Sequence, residues 1–337
     1  MGNYKKVIIF SHENDIDEMG SIILGKIAFG EIDYVLSSNV DILEARFRKM
    51  IENKGLSKYD SIYVTDLALY TPAVDLVKKD HELSSKVLVF DHHRSAINAG
   101  YNNYDFTTII EVDNTGRKRS GTDLFYEFLL SKNLINRTHA LDELVELTRL
   151  EDTWEWKNSG NIGIKAHDLA ILFNALGIEE YLGMMCSKLS TCIADFSFTE
   201  EEKNIINNKK NEYLALLKQI WDEAESFKDE FGNDYYAVYA GYEFRNELGE
   251  YVRKLSIKNL KYIVIVALEK GKFGQKSYRT IEANFDVGKI AESHGGGGHP
   301  EAASVNITEE QKKHALVLRK KSKRDSLEYL VNSSYKE

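Results

Sequence analysis

Three clusters of carboxylate and imidazole groups carry the chemical signal of this chain. The first is Ser11-His12-Glu13-Asn14-Asp15-Ile16-Asp17, the second is Asp66, and the third is Asp91-His92-His93. A further carboxylate, Asp152, lies in Leu150-Glu151-Asp152-Thr153-Trp154. Carboxylates and imidazoles without cysteine suit a hard-to-borderline divalent ion such as Mn²⁺, Mg²⁺ or Co²⁺. So many acidic positions with two or three histidines exceed the needs of one ion. They suit two ions sharing a carboxylate, the arrangement that clamps both oxygens of a phosphoryl displacement. Taken singly, each piece has a plainer reading: Asp66 alone reads as a helix cap, and a His-x-x-Asp-x-Asp run is common. Their joint occurrence carries the argument. His81, His139, His167 and His314 are isolated and read as structural or surface residues, and Glu151 as an outer charge.

Each cluster follows a stretch with strand character. Residues 6–10, 32–36, 61–65 and 86–90 are short apolar runs, and residues 20–29 and 43–51 between them have helical spacing. This alternation predicts a parallel sheet with helices on both faces. Ligands of such sheets sit at the carboxyl ends of the strands, so the clusters converge on one cleft. From 121 to about 190 the pattern turns helical. Residues 199–228 read as a connecting helix, with Thr199 and Glu202 as a capping pair. Strands at 235–240 and 262–268, with a helix at 248–255 between them, open a second domain. The expected organisation is a metal-binding domain over 1–195, a linker over 196–230 and a smaller α/β domain over 231–337.

The chain has 337 residues, with 43% hydrophobic and 29% charged, which excludes wholesale disorder. The longest apolar run, 263–268, is too short to span a bilayer. The N-terminus shows no signal-peptide pattern, and two cysteines, Cys186 and Cys192, read as buried free thiols, so a cytoplasmic location is expected. The net charge of −9 argues against a general nucleic-acid coater. Seven basic residues between Lys312 and Arg324 read as a solvated helical surface, with a weak nucleic-acid patch as the alternative.

The second domain has its own signal. Gly295-Gly296-Gly297-Gly298-His299 reads as a loop whose backbone approaches a ligand and points N–H groups at anionic oxygens. Arg279, ending a strand at 275–279, is suited to bidentate phosphate contact.

In this order the motifs resemble the DHH phosphoesterase superfamily, through Asp91-His92-His93. The C-terminal half, through Ser277-Tyr278-Arg279 and residues 295–304, is similar to the DHHA1 domain. Val64-Thr65-Asp66-Leu67-Ala68, Ser120-Gly121-Thr122 and Glu151-Asp152-Thr153-Trp154-Glu155-Trp156 most resemble the B-type nano-RNA oligoribonucleases. The resemblance implies a two-metal phosphodiesterase, usually Mn²⁺-dependent, with its cleft between the domains. It implies His12, Asp15 and Asp66 for one ion, and Asp17, Asp66, His92 and Asp152 for the other. His93 matches the phosphate-contacting histidine, and Asp91 orients His92. Arg279, Gly296, Gly297, Gly298 and His299 match the grip on substrate phosphate. One departure is that Glu18 and Met19 precede Gly20 where many members have glycine directly after the second aspartate; Ser304 in place of the closing glycine is another. The expected activity is exonucleolytic hydrolysis of short RNA to nucleoside 5′-monophosphates. Dinucleotide phosphodiesterase and single-strand DNA exonuclease activities are the alternatives, and a non-cleaving nucleotide sensor is a rival of another class. Expected partners are short oligonucleotides or dinucleotides, with no membrane; the oligomeric state, a dimer included, stays open.

Overall fold

The computed structural model describes residues 5–13, 15–37, 40–191, 194, 196–270 and 273–335. The chain divides into two compact units, residues 1–209 and 210–337. Among the described residues no helix is long and apolar enough to cross a membrane.

The first unit runs β1 (Val7–Ser11), α1 (Ile16–Phe29), β2 (Asp33–Leu36), α2 (Val40–Glu52), β3 (Ser61–Thr65), α3 (Thr71–Lys79), α4 (His81–Ser84), β4 (Val87–Asp91), α5 (Arg94–Asn98) and β5 (Thr107–Ile109). Helices α6 (Gly121–Ser131), α7 (His139–Asp152), α8 (Gly160–Leu176) and α9 (Ile178–Thr191) follow, and α10 (Glu200–Asp222) begins in this unit and ends in the second. The five strands are all parallel, in the order β2-β1-β3-β4-β5. The strand order reverses between β1 and β3, and such a switch point opens a crevice at the carboxyl edge. Val7 to Phe10 are apolar in succession because both faces of β1 are covered. One face packs on α1 and α6 to α9 through Met19, Ile22, Phe125 and Leu144. The other packs on α2 and α3 through Phe10, Phe47, Val74 and Val77. Helix α1 is buried without a break from Ile16 to Gly25, so its first turn is held inside the protein.

The second unit holds β6 (Glu225–Lys228), β7 (Asp234–Tyr239), α11 (Arg245–Lys254), β8 (Leu260–Lys270), β9 (Phe273–Thr280), α12 (Val287–Ser293), β10 (Gly297–His299), β11 (Ala302–Ile307), α13 (Glu309–Arg319) and α14 (Lys323–Asn332). Its mixed sheet has the order β10-β11-β9-β8-β7-β6. The α/β class and the parallel first sheet agree with the sequence reading.

Three local expectations differ. The connecting helix stops at Asp222, and Glu225–Lys228 instead pairs antiparallel with β7. Residues 229–233 form the turn, in which Asp229 Oδ1 accepts from the Phe231 and Asn233 N–H groups. Helix α1 starts four residues earlier than expected, because Asp15 and Glu18 form a capping box. The glycine run is not an open loop: Gly297–His299 is a short edge strand against β11. A Cβ on Gly296 would lie 2.1 Å from Ser304 O, and one on Gly298 2.5 Å from Ala303 Cα, so close strand packing demands glycine at both. Cys186 is free and only half-buried; Cys192 lies outside the described residues.

Candidate metal centre

The strand ends are first tied together. Ser11 Oγ at the end of β1 donates to Thr65 O at the end of β3, at 2.8 Å. Beyond β3, Asp66 takes φ +58°, a left-handed conformation rare for a residue with a Cβ. Its N–H donates to Phe90 O at 2.8 Å, which locks it against β4. Gly121 packs on this turn so tightly that a Cβ there would stand 2.7 Å from Asp66 N.

His92 joins the elements. Its Nε2 is 3.0 Å from Asp66 Oδ1 and 3.4 Å from Asp152 Oδ2, at the end of α7. Asp17, fully buried in the first turn of α1, points both oxygens at the start of α6. Gly121 N–H donates to Oδ2 at 2.7 Å and Thr122 N–H to Oδ1 at 2.9 Å. The positive end of α6 therefore supports this carboxylate. Three groups bring their ligating atoms within 4.8 Å of one another: Asp66, His92 and His93; His12, Glu18 and Asp66; and Asp17, His92 and Asp152.

Asp15 behaves differently. Its Oδ1 accepts the Asp17 N–H at 2.8 Å and caps α1. Glu18, 1% exposed, accepts the Asp15 N–H through Oε2 and also reaches His12, with Oε1 3.6 Å from His12 Nδ1. The sequence signal for Glu18 was its position three residues after a capping aspartate. Asp91 also departs from expectation. Its Oδ1 accepts the His92 N–H but meets the ring of His93, with Nδ1 at 2.7 Å. Asp91 thus orients His93, not His92, because β4 ends with both backbone N–H groups turned back onto this carboxylate. The support given to Asp17 by Gly121 and Thr122 was also missed; a Ser-Gly-Thr helix start is its only trace in the sequence.

The electrostatics fit divalent cations. Burial first, then the neighbouring Asp17 and Glu18, raises Asp66 well above the usual carboxylate range. Burial followed by Asp17 pushes Asp152 up to about 9, and burial followed by its bond to Asp15 pushes Glu18 up to about 10. Burial lowers His12 and His92, favouring the neutral imidazole that ligates metals. Buried His12 Nε2 and Asp152 Oδ2 have no hydrogen-bond partner among the described residues. Oxygen and imidazole donors, crowded carboxylates and unused buried lone pairs are what two shared cations would satisfy. His93 differs: its side chain is 47% exposed, and the bond to Asp91 raises its pKa. A cavity of about 420 Å³ adjoins the cluster, lined by His12, Asp66, His93, Tyr70 and Tyr101.

In the second unit Arg279 and His299 occupy one cross-strand row. Arg279 pairs with Ala302, and Ala302 with His299, so their side chains share a face with only a methyl group between them. Asn246 Oδ1 accepts from Arg279 Nε at 3.2 Å and Nη2 at 2.9 Å, and Tyr278 O accepts from Nη1 at 2.7 Å. Of the basic C-terminal stretch, Lys323 pairs with Glu223 and Arg324 with Glu225, so part of it serves the fold.

Residues 233–321 match the DHHA1 domain family. Oligoribonuclease NrnB of Bacillus subtilis (strain 168) is 31% identical over 306 residues, covering 90% of this chain and 73% of that protein. Among solved structures, a DHH domain described as belonging to a family of ribosomal proteins shares the fold. It has a TM-score of 0.52 at 15% identity, over 98% of this chain and 88% of that one. The chain belongs to the DHH/DHHA1 phosphoesterases, in the family of the NrnB oligoribonucleases, and is a hydrolase of phosphodiester bonds.

Proposed function

We propose that this enzyme removes nucleoside 5′-monophosphates from an end of short RNA oligonucleotides, using two divalent ions, Mn²⁺ foremost. The observation that carries the reading is the convergence of His12, Asp17, Asp66, His92 and Asp152 in a chain 31% identical to an oligoribonuclease. Asp17, Asp66, His92 and Asp152 would hold one ion, and His12 and Asp66 the other, with Asp15 or Glu18 completing it. When bound, such ions polarise the phosphoryl oxygens and acidify a water nucleophile.

The protein's own groups do the positioning. The left-handed turn at Asp66 and the start of α6 at Asp17 hold two carboxylates rigidly before substrate arrives. Asp91 fixes the His93 ring through Nδ1 and favours its protonated form, so its other nitrogen presents positive charge to a phosphate oxygen. Arg279, its fork set by Asn246, and His299 are assigned the phosphate of the terminal nucleotide.

A cleavage time course with Mn²⁺ tests the reading. Substrates are an end-labelled RNA dinucleotide, a pentamer and a long oligomer, the pentamer as DNA, and linear and cyclic dinucleotides. Asp66→Ala protein controls for contaminating nuclease. Stepwise release of mononucleotides from the short RNAs is expected. Activity confined to dinucleotides would reassign the enzyme to second-messenger turnover. Absence of metal-dependent cleavage, or full activity of Asp66→Ala, would overturn the scheme.

A further inference from the structure

The segment that supplies Asp152 also carries an aromatic side chain that the metal centre does not use. Helix α7 ends at Asp152, Thr153 caps it, and the chain turns into residues 155–158 through Trp154 at φ 61°, ψ 11°. A bulky residue in this left-handed region is strained. The surroundings hold it there. Thr153 donates to Arg149 O through both its N–H and its Oγ1, and Trp154 N–H donates to Glu151 O at 3.1 Å. Arg149, 4% exposed, clamps Glu146, Glu155 and Lys118 O. Gly163 lies so near Trp156 O that a Cβ there would meet it at 1.9 Å.

The two tryptophans of this turn have different fates. Trp156 stacks on His167, with ring centroids 4.0 Å apart and planes 6° apart. Trp154 is turned outward and is 56% exposed. One ammonium group lies over its ring, Lys157 Nζ at 4.9 Å from the centroid, and a second, Lys118 Nζ, is held at the same turn by donating to Thr153 O at 3.3 Å. An exposed indole with two lysines at its turn, two residues from Asp152, is the chemistry that stacks a nucleobase and holds the adjoining phosphate.

We propose that Trp154 is a nucleobase platform: it seats a base of the substrate beside the metal centre, with Lys118 and Lys157 holding the neighbouring backbone. Stacking accepts any base, which fits a degradative enzyme indifferent to sequence. The proposal rests on the reading that the substrates are oligonucleotides.

The test compares Trp154→Gly, Trp154→Phe and wild type. Glycine relieves the left-handed strain and removes the ring, so its melting temperature is expected to hold or rise while KM for the RNA pentamer rises about 10- to 100-fold at little-changed kcat. Phenylalanine should recover most of the loss. Pentamers with an abasic residue at each position in turn should include one for which wild type and Trp154→Gly have equal KM. Quenching of tryptophan fluorescence by the pentamer in EDTA should shrink in Trp154→Phe. If wild type cleaves RNA and Trp154→Gly does so with unchanged KM, the platform is wrong and the oligoribonuclease reading stands. If wild type cleaves no oligonucleotide, that reading falls, and quenching decides the platform by itself: no quenching, or quenching unchanged in Trp154→Phe, overturns it. A Trp154→Gly protein that loses both melting temperature and kcat would mark the residue as structural and also overturn it.

Discussion

Replacing Lys276 by methionine measures a cost that the second unit carries inside its sheet. Lys276 lies on β9, is 1% exposed, and donates through Nζ to Leu330 O at 2.9 Å and to Ser333 O. It therefore ties the C-terminal end of α14 to the strand that presents Arg279 on its opposite face. Burial lowers its pKa from 10.5 to about 8. Below pH 8 both folded and unfolded chains carry the proton, and the folded state bears the whole desolvation penalty. Between pH 8 and 10.5 the unfolded chain binds the proton more tightly, so stability rises with pH. At about 1.4 kcal/mol per unit, the full window is worth roughly 3 kcal/mol, of which about 2 kcal/mol falls between pH 7.5 and 9.5. The unit has about 130 residues, and at about 2.1 cal/mol/K per residue the change corresponds to roughly 7 °C. Buried Tyr262 and Tyr278, raised above their usual value, lose stability only above pH 10 and stay outside this range. The carboxylates of the first unit pull the other way within it, so the readout is the calorimetric difference between wild type and Lys276→Met. Loss of the donor shifts the variant by a constant amount. The gap should change by several degrees, in favour of wild type, as pH rises. Parallel profiles would refute the assignment of a buried, titrating ammonium.

Two further substitutions probe the metal centre. Asp66→Asn keeps a residue that tolerates the left-handed turn but removes one charge from the crowded carboxylates. It should be inactive with Mn²⁺, yet melt at a higher temperature than wild type in EDTA. Carboxyls with raised folded pKa values, Asp152 and Glu18 among them, stabilise most below pH 4 and lose this as pH rises toward 9 to 10. Metal-free wild type should therefore melt lower at pH 9 than at pH 5, with Mn²⁺ restoring more at the higher pH. A lower EDTA melting temperature for Asp66→Asn would count against repulsion in the cluster. Gly121→Ala puts a Cβ 2.7 Å from Asp66 N, and the displaced carboxylate should cost about 100-fold in kcat with native circular dichroism; an undiminished rate would show that Asp66 tolerates movement.

The strands and the clusters behind them were legible because buried parallel strands are continuously apolar and stop abruptly at a charged residue. Val87 to Phe90 followed by Asp91-His92-His93 reads in one pass for that reason. What escaped was decided by competition among polar neighbours. Asp15 and Glu18 can each cap, ligate or repel, and only the start of α1 shows that both cap while the other oxygen of Glu18 turns toward His12. Asp91 precedes two histidines, and the turn of the backbone, invisible in the sequence, gives its side chain to the second. Strand β10 was hidden because glycine has no strand preference of its own; its pairing depends on a backbone approach that only glycine permits.

The same features explain why the cluster sits where it does. A buried carboxylate is tolerable when fixed dipoles or charges surround it. Asp17 has the start of α6, and Asp91 has two backbone N–H groups and the His93 ring. Among the described residues Asp66 and Asp152 receive no comparable donors: their shared neighbour is His92, whose pKa burial lowers, and Asp66 is held in a left-handed turn besides. The fold thus gives Asp17 and Asp91 backbone donors and leaves Asp66 and Asp152 to burial and the repulsion of their neighbours, which raise the pKa of both. A cation entering the cluster gains most at Asp66, the member common to the groups around His12 and His93. Because Gly121 and the end of β4 fix Asp66 before any ligand arrives, the binding free energy of a cation need not be spent on ordering the chain.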